Sequence, residues 1–244
     1  MIKRQQALFR EAHPAPPFWS VRFELPSPPT AGRFMLADLG GPLREVLFPA
    51  ALEEGSFAVL VAPGHPATRL LPGTPVDMIG PLGHGFDSEG IARLLLVAEA
   101  AHLPPLLPLL QAAPTVSLLV EAPTRALLPP AGRFPTTVEL HLLTHDGSGG
   151  HAGTLEDASS PLPSLLQWAE RVCLSCPRER YPALAEKVEA ARLHPAPRFA
   201  QALVQVPMPC GVGACEICRI QTRQGERHAC TEGPVFDLLT LREG

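Results

Sequence analysis

Thirty of the 244 residues are proline, about one in eight against a usual ~5%. Proline fixes φ and has no backbone N–H, so it ends α-helices and is kept out of central strands. A chain punctuated this often is expected to fold as short strands and turns. Its 20 glycines and 30 prolines together stay below the roughly 25% that marks low complexity. The 45% hydrophobic and 18% charged residues are those of a globular protein and not of a disordered one. The length exceeds a usual single domain, so two or three compact units are expected.

The formal net charge of −4 provides no basic field for a phosphate backbone or an anionic membrane, which excludes nucleic acid as a partner. The most apolar stretch, 94–114, is interrupted by Glu99, His102, Pro104, Pro105 and Pro108. A spanning helix needs ~20 nearly uninterrupted apolar residues, so no membrane span is expected. Residues 1–19 carry Lys3, Arg4, Arg10 and Glu11 with no apolar segment running into a small-residue cleavage site, and the expectation is a cytoplasmic protein. Six cysteines would be kept reduced there, so a group of them points to metal sooner than to disulfides.

Between 17 and about 88 the chain reads as strand-like pieces (18–25, 32–39, 56–62 and 75–79) separated by Pro/Gly turns, a pattern that suits a small β-barrel. After Ile91 come an apolar run at 92–97, helix-like leucines at 103–111 and strand candidates at 115–120 and 138–144. Alternating buried strands and helices imply a parallel sheet in an α/β domain. An amphipathic helix is expected over 181–193, followed by a linker at 194–198. The predicted units are a barrel over 1–88, an α/β domain over 89–197 and a small cysteine-rich lobe over 198–244.

The most specific motif is Cys210-Gly-Val-Gly-Ala-Cys215-Glu-Ile-Cys218 with Cys230 beyond it, C-x4-C-x2-C-x11-C. Its first spacings match plant-type 2Fe–2S ferredoxins. A two-iron centre takes two thiolates per iron, and its bridging sulfides want amide donors. Gly211 and Gly213 allow a loop to turn the N–H groups of Gly211, Val212, Gly213 and Ala214 inward. The competing metal is zinc, which favours two C-x2–4-C knuckles well apart, whereas these cysteines fall as three plus one. Buried free thiols are the plainest alternative. Cys173-Leu-Ser-Cys176 has redox-dithiol spacing, but with no second knuckle nearby a structural role is favoured. His228 beside Cys230 is no Rieske ligand, because four cysteines already satisfy both irons. His84, His102, His145 and His151 are read as surface or turn residues.

The tail Met208-Pro-Cys-Gly-Val-Gly-Ala-Cys-Glu-Ile-Cys218, followed by Ala229-Cys-Thr-Glu-Gly-Pro-Val-Phe-Asp237, resembles the C-terminal motif of the electron-transfer subunit of heterotetrameric dihydroorotate dehydrogenase, a branch of the ferredoxin–NADP reductase superfamily. Gly80-Pro-Leu-Gly-His-Gly-Phe86 and Thr144-His-Asp-Gly-Ser-Gly-Gly150 fall in the same order. The resemblance implies a ferredoxin-reductase-like barrel, a Rossmann-like domain and a 2Fe–2S lobe. It also implies that NADH reduces FAD on the barrel, and that the cluster passes single electrons to a separate catalytic subunit in a hetero-oligomer serving pyrimidine biosynthesis.

Two segments depart from that pattern and a third keeps it only in part. Where the family has Arg-Pro-x-Ser for the flavin, Leu43-Arg-Glu-Val-Leu-Phe48 offers Glu45 and Phe48, with Arg44 one position away. Where it has a glycine-rich turn after the first α/β strand, this chain has Ala98-Glu-Ala-Ala-His102. A second flavin-contact segment is reduced to Gly64-His-Pro-Ala-Thr68. The expected function is therefore non-catalytic iron–sulfur electron transfer, with Cys210, Cys215, Cys218 and Cys230 as ligands and no side chain acting as acid or base. FAD use stays open. The alternatives are a cluster-only relay or scaffold that has lost FAD and NADH, and a zinc-stabilised interaction module. Val212, Ile217 and Phe236 are candidates for a docking surface or for a core, and Glu216 and Arg219 are expected to face solvent or a partner.

Overall fold

A computed structural model of the chain describes residues 3–241. Its first part is an antiparallel sheet of β1 (Arg4–Ala15), β2 (Phe18–Glu24), β3 (Phe34–Ala37), β4 (Glu45–Leu47), β5 (Ala51–Glu53), β6 (Ser56–Val61) and β7 (Pro75–Leu82), in the order β4-β3-β7-β1-β2-β6-β5. The two edge strands, β4 and β5, are separated in sequence only by residues 48–50. That short connection draws the edges together and wraps the sheet into a barrel. Phe9, Phe23 and Phe57 fill it, with ring centroids 6.0 and 5.7 Å apart in succession, beside Met35 and Met78. The sequence reading missed β1, because only Ala7, Phe9 and Ala15 of its twelve residues are buried and the polar majority hides the alternation.

The second sheet contains β8 (Arg93–Glu99), β9 (Thr115–Ala122), β10 (Val138–Thr144), β11 (His151–Ala152), β12 (Arg171–Ser175) and β13 (Ala200–Leu203), all parallel, with a final antiparallel strand supplied by the tail. The order runs β11-β10-β9-β8-β12-β13. One face, through Leu95, Val97, Leu119, Val172 and Leu174, packs on α1 (Leu162–Trp168) and α2 (Tyr181–Ala191). Tyr181, the chain's one tyrosine, is buried at the start of α2, where its hydroxyl donates to the Leu203 carbonyl at 2.5 Å.

The other face, through Leu94, Leu96, Leu118, Val120 and Cys173, is covered by no α-helix among the described residues. The helix expected at 103–111 is a run of 3-10 turns over Pro104–Leu109. Pro104 and Pro105 are tolerated in a first turn, but Pro108 removes the N–H that an α-helix would direct at the Pro104 carbonyl and its ring crowds that carbonyl, while Leu106 and Leu109 still reach the core. Burying each such leucine is worth about 1.5–3 kcal/mol, which outweighs the poorer hydrogen bonding of the tighter turn.

The tail carries a two-stranded hairpin, β14 (Arg219–Thr222) and β15 (Gly225–His228), and then β16 (Val235–Asp237), which pairs with β13. Within the lobe predicted from residue 198 onward, β13 and β16 pair into the sheet of the α/β unit. The cysteine loop and hairpin project from that edge. The loop is also tied to the barrel end, since His84 N–H donates to the Gly233 carbonyl at 2.6 Å and a Cβ on Gly83 would stand 2.5 Å from Pro234.

Candidate metal centre

The hairpin explains the eleven-residue gap between the last two cysteines. β14 starts immediately after Cys218 and β15 ends two residues before Cys230, and the Ala229 N–H closes the end of the hairpin on the Cys218 carbonyl at 3.0 Å. The Cys218 and Cys230 sulfurs lie 3.3 Å apart as a result. Cys210 and Cys215 form the second pair, at opposite ends of the Gly-Val-Gly-Ala turn.

That turn is shaped by its glycines. Gly211 has φ +66°, and a Cβ there would meet Leu82 at 2.6 Å and Leu36 at 2.7 Å, so the loop rests directly on the barrel. Gly213, at φ +75°, turns its N–H onto the Cys230 sulfur at 3.2 Å. Burial pushes the Cys210 thiol up, but the amides of Val212, Cys215 and Ala214 and the Cys215 thiol outweigh it and bring its pKa down to about 6. Burial, followed by the adjoining Cys218 thiol, pushes Cys230 up to about 12 against the Gly213 amide. Cys218 and Cys230 are buried, Cys210 is half-buried and Cys215 is exposed.

Among the described residues no three His, Cys, Asp or Glu side chains gather about one ion-sized point. Two thiol pairs lined by amides are the donor set of a two-iron centre, whereas a structural zinc site closes four ligands on one point. The residues present fit a 2Fe–2S cluster.

The family described as "Iron-sulfur cluster binding domain of dihydroorotate dehydrogenase B" matches residues 207–242. The chain is 31% identical over 181 residues to the "Dihydroorotate dehydrogenase B (NAD(+)), electron transfer subunit" of Geobacillus thermodenitrificans, covering 69% of this chain and 66% of the relative. The protein of the same name from Clostridium acetobutylicum is 26% identical over 180 residues, with 69% and 65% covered. Residues 207–242 thus match the iron–sulfur domain of dihydroorotate dehydrogenase B, and these relatives are electron-transfer subunits of that enzyme. The chain spans just under two thirds of the length of these two relatives. The fold is that of the NADH-dependent reduced ferredoxin-NADP oxidoreductase, at TM-score 0.78 and 22% identity over 96% of this chain and 89% of that one. The ferredoxin reductase of carbazole 1,9a-dioxygenase shares it at TM-score 0.60 and 15% identity, with 78% and 65% covered.

The segments of this chain that correspond to the flavin motifs are differently occupied. The Arg44 guanidinium pairs with the Asp77 carboxylate and donates to the Asp77 carbonyl at 2.9 Å. Phe48 turns onto Phe34, with ring centroids 5.8 Å apart. At 64–68 the loop satisfies itself, since His65 Nδ1 accepts from the Ala67 N–H at 3.2 Å and the Thr68 hydroxyl donates to the His65 carbonyl at 2.7 Å. The cleft between Phe48, Leu60 and Pro104 holds about 120 Å³, and a cavity of about 490 Å³ adjoins it against the same Leu60 and Pro104, lined by Leu52, Leu107 and Phe134. These residues do not fit the pyrophosphate of FAD at either segment.

A second polar site escaped the sequence reading. Glu121, in β9, is 1% exposed. It is held by Arg180 through two bonds of 2.9 and 2.8 Å, by His145 Nε2 at 2.6 Å and by the Leu155 N–H at 2.7 Å. Arg180 also reaches Glu156 at 2.8 Å and Glu99 at 3.5 Å. Burial opposes ionisation of Glu121, yet these donors outweigh it and hold its carboxyl below the usual range. The available signal was a lone glutamate inside the apolar run of β9. His145 is therefore a hydrogen-bond partner of Glu121 and more than a turn residue. His102 is half-buried beside Glu99, and burial lowers its pKa. His84 and His151 are exposed.

Cys173 and Cys176 are both buried on opposite faces of the second sheet, one packed with Leu96 and the other with Leu174. Burial raises both thiols, Cys176 to about 12. They are not placed to act together as a dithiol.

Proposed function

We propose that this chain is the iron–sulfur electron-transfer subunit of a dihydroorotate dehydrogenase-like complex in the cytoplasm, with Cys210, Cys215, Cys218 and Cys230 as ligands. A 2Fe–2S cluster supplies one-electron exchange, tuned by hydrogen bonds to its sulfurs and by burial. The chain's own residues bind and orient it. Gly213 and the amides of Val212, Ala214 and Cys215 point at thiol sulfurs, and backbone donors so placed raise a cluster's potential. Cys218 and Cys230 lie on the inner side, and Cys215 marks the edge that faces solvent.

The observation that carries this reading is the arrangement of four thiols as two pairs, one buried and one at the surface, within residues 207–242. Electron transfer to a separate catalytic subunit needs one exposed edge, and Val212 and Ile217 flank it at 46% and 56% exposure. Such apolar side chains suit a docking patch of a hetero-oligomer. Phe236 is buried and belongs to the core. Glu216 and Arg219 form the exposed rim, 3.7 Å apart. Among the described residues no helix is long and apolar enough to cross a membrane, and six free cysteines suit a reducing compartment.

The test is anaerobic purification with iron, acid-labile sulfide and zinc measured on one sample, beside the visible spectrum. Two irons and two sulfides per chain are the expected result. Zinc without sulfide would instead establish the zinc-stabilised module.

A further inference from the structure

In an open parallel sheet a dinucleotide binds outside the carboxyl ends of the strands, where the strand order reverses. In this chain the reversal lies between β8 and β12, whose carboxyl ends are Glu99 and Ser175. The lips of that crevice are bonded to one another. The Ser175 hydroxyl donates to the His102 carbonyl at 2.6 Å and accepts from Gln205 Nε2 at 3.0 Å, which joins the loops after β8, β12 and β13 across the opening.

A pyrophosphate at such a point is held by free N–H groups at a helix N-terminus. After β8 the chain instead makes 3-10 turns at Ala100–His102 and Pro104–Leu109. Pro104 and Pro105 have no N–H to offer, and the N–H groups of Leu103 and Leu106 are turned back onto the carbonyls of Ala100 and Leu103. The charge is adverse as well. Glu99, Glu121 and Glu156 all lie within 3.5 Å of the single guanidinium of Arg180, so carboxylates outnumber the cation that would meet an anionic ligand.

We propose that the switch-point crevice of this chain is closed to nicotinamide dinucleotides by the Ser175–His102–Gln205 bridge, the proline-capped turn and the acids around Arg180. The relatives carry NAD(+) in their names, so this is a divergence from those relatives. It deepens the electron-transfer reading and rests on it in one respect: the electrons to be relayed then reach the chain from another redox protein, which loses one electron for each one delivered onward.

The experiment uses the full chain, purified anaerobically, shown by a cooperative thermal melt to be folded and assayed for iron and sulfide. NADH is titrated while its fluorescence polarisation is followed, with NADPH in a parallel series and the visible absorbance recorded throughout. The expected reading is no saturable polarisation change and no bleaching by either nucleotide, while dithionite bleaches the same sample. Saturable NADH binding, or bleaching by NADH, overturns the closure. Absence of iron, sulfide and dithionite bleaching would overturn the cluster reading, while the polarisation arm would still decide the crevice.

Discussion

Arg180 grips Glu121 through two parallel hydrogen bonds, Nη1 to Oε1 at 2.9 Å and Nη2 to Oε2 at 2.8 Å, across 59 residues of sequence. This pair ties the start of α2 to the carboxyl end of β9 beneath the crevice. Removing one partner of a buried pair leaves the other uncompensated, at a cost of about 3–5 kcal/mol. Arg180→Met is therefore expected to lower the denaturant midpoint strongly, with the iron content of the folded fraction unchanged. A loss under 1 kcal/mol would show that the His145 and Leu155 bonds suffice to hold Glu121.

The same carboxylate gives the fold an acid-sensitive element. Glu121 is held below its ordinary range, so folding binds fewer protons than the unfolded chain does. Its contribution is fully present above the unfolded value of ~4.3 and is lost as the pH falls through the lower folded value. Denaturation followed from pH 6 downward should show stability falling below about pH 4.3. Glu121→Gln should flatten that part of the curve, and a curve unchanged by the substitution would count against the pair's role.

Gly211 is where the cluster loop meets the barrel. An alanine there would need a left-handed φ, costing about 1–2 kcal/mol, and would drive its Cβ into Leu36 and Leu82. Gly211→Ala should lower both the melting temperature and the iron retained per chain. Full iron occupancy at wild-type stability would mean that the loop shifts freely on the barrel.

Ile217 presents 56% of its surface beside the exposed Cys215. Ile217→Asp should leave stability within about 0.5 kcal/mol, as exposed substitutions usually do, and should weaken assembly with the proposed catalytic subunit. Sedimentation of the mixed subunits reads this directly, and an unchanged complex would move the docking face elsewhere.

Cys173 and Cys176 lie on opposite faces of the sheet, away from the thiol pairs of the tail. Cys173→Ala should retain full iron and cost about 1–3 kcal/mol from lost packing. Neither thiol should react with a water-soluble thiol reagent until the protein unfolds. Iron loss in this variant would make Cys173 part of the metal centre.

The cysteine tail was legible in the sequence because its chemistry is local. Spacing alone fixes how far apart Cys210, Cys215 and Cys218 can stand, and glycines at 211 and 213 mark a loop that turns its amides inward. The strands at 115–120 and 138–144 were legible from their local pattern, the first through the buried Val116, Leu118, Leu119 and Val120 and the second through Val138, Leu140 and Leu142 alternating with polar residues. The prolines correctly indicated short elements, yet leucine spacing at 103–111 suggested a helix that Pro108 prevents. There the backbone restriction outweighed the side-chain pattern.

Tertiary structure decided what depends on distant segments meeting. Sequence could not bring Arg180 to Glu121, or Ser175 to His102 73 residues away. Nor could it show that Phe48 turns onto Phe34 and that Arg44 is taken by Asp77. A charged or apolar side chain has no fixed role until the fold sets what lies within a few ångströms of it. Position 236 illustrates this, being a candidate docking residue in sequence and a core residue once β16 pairs with β13. The sequence by itself marked the four candidate ligands and the barrel-to-sheet order, because both follow from local spacing and periodicity. The tertiary structure decided which of the four cysteines faces solvent and which side chains meet across the crevice, because exposure and charge pairing are properties of assembled surfaces.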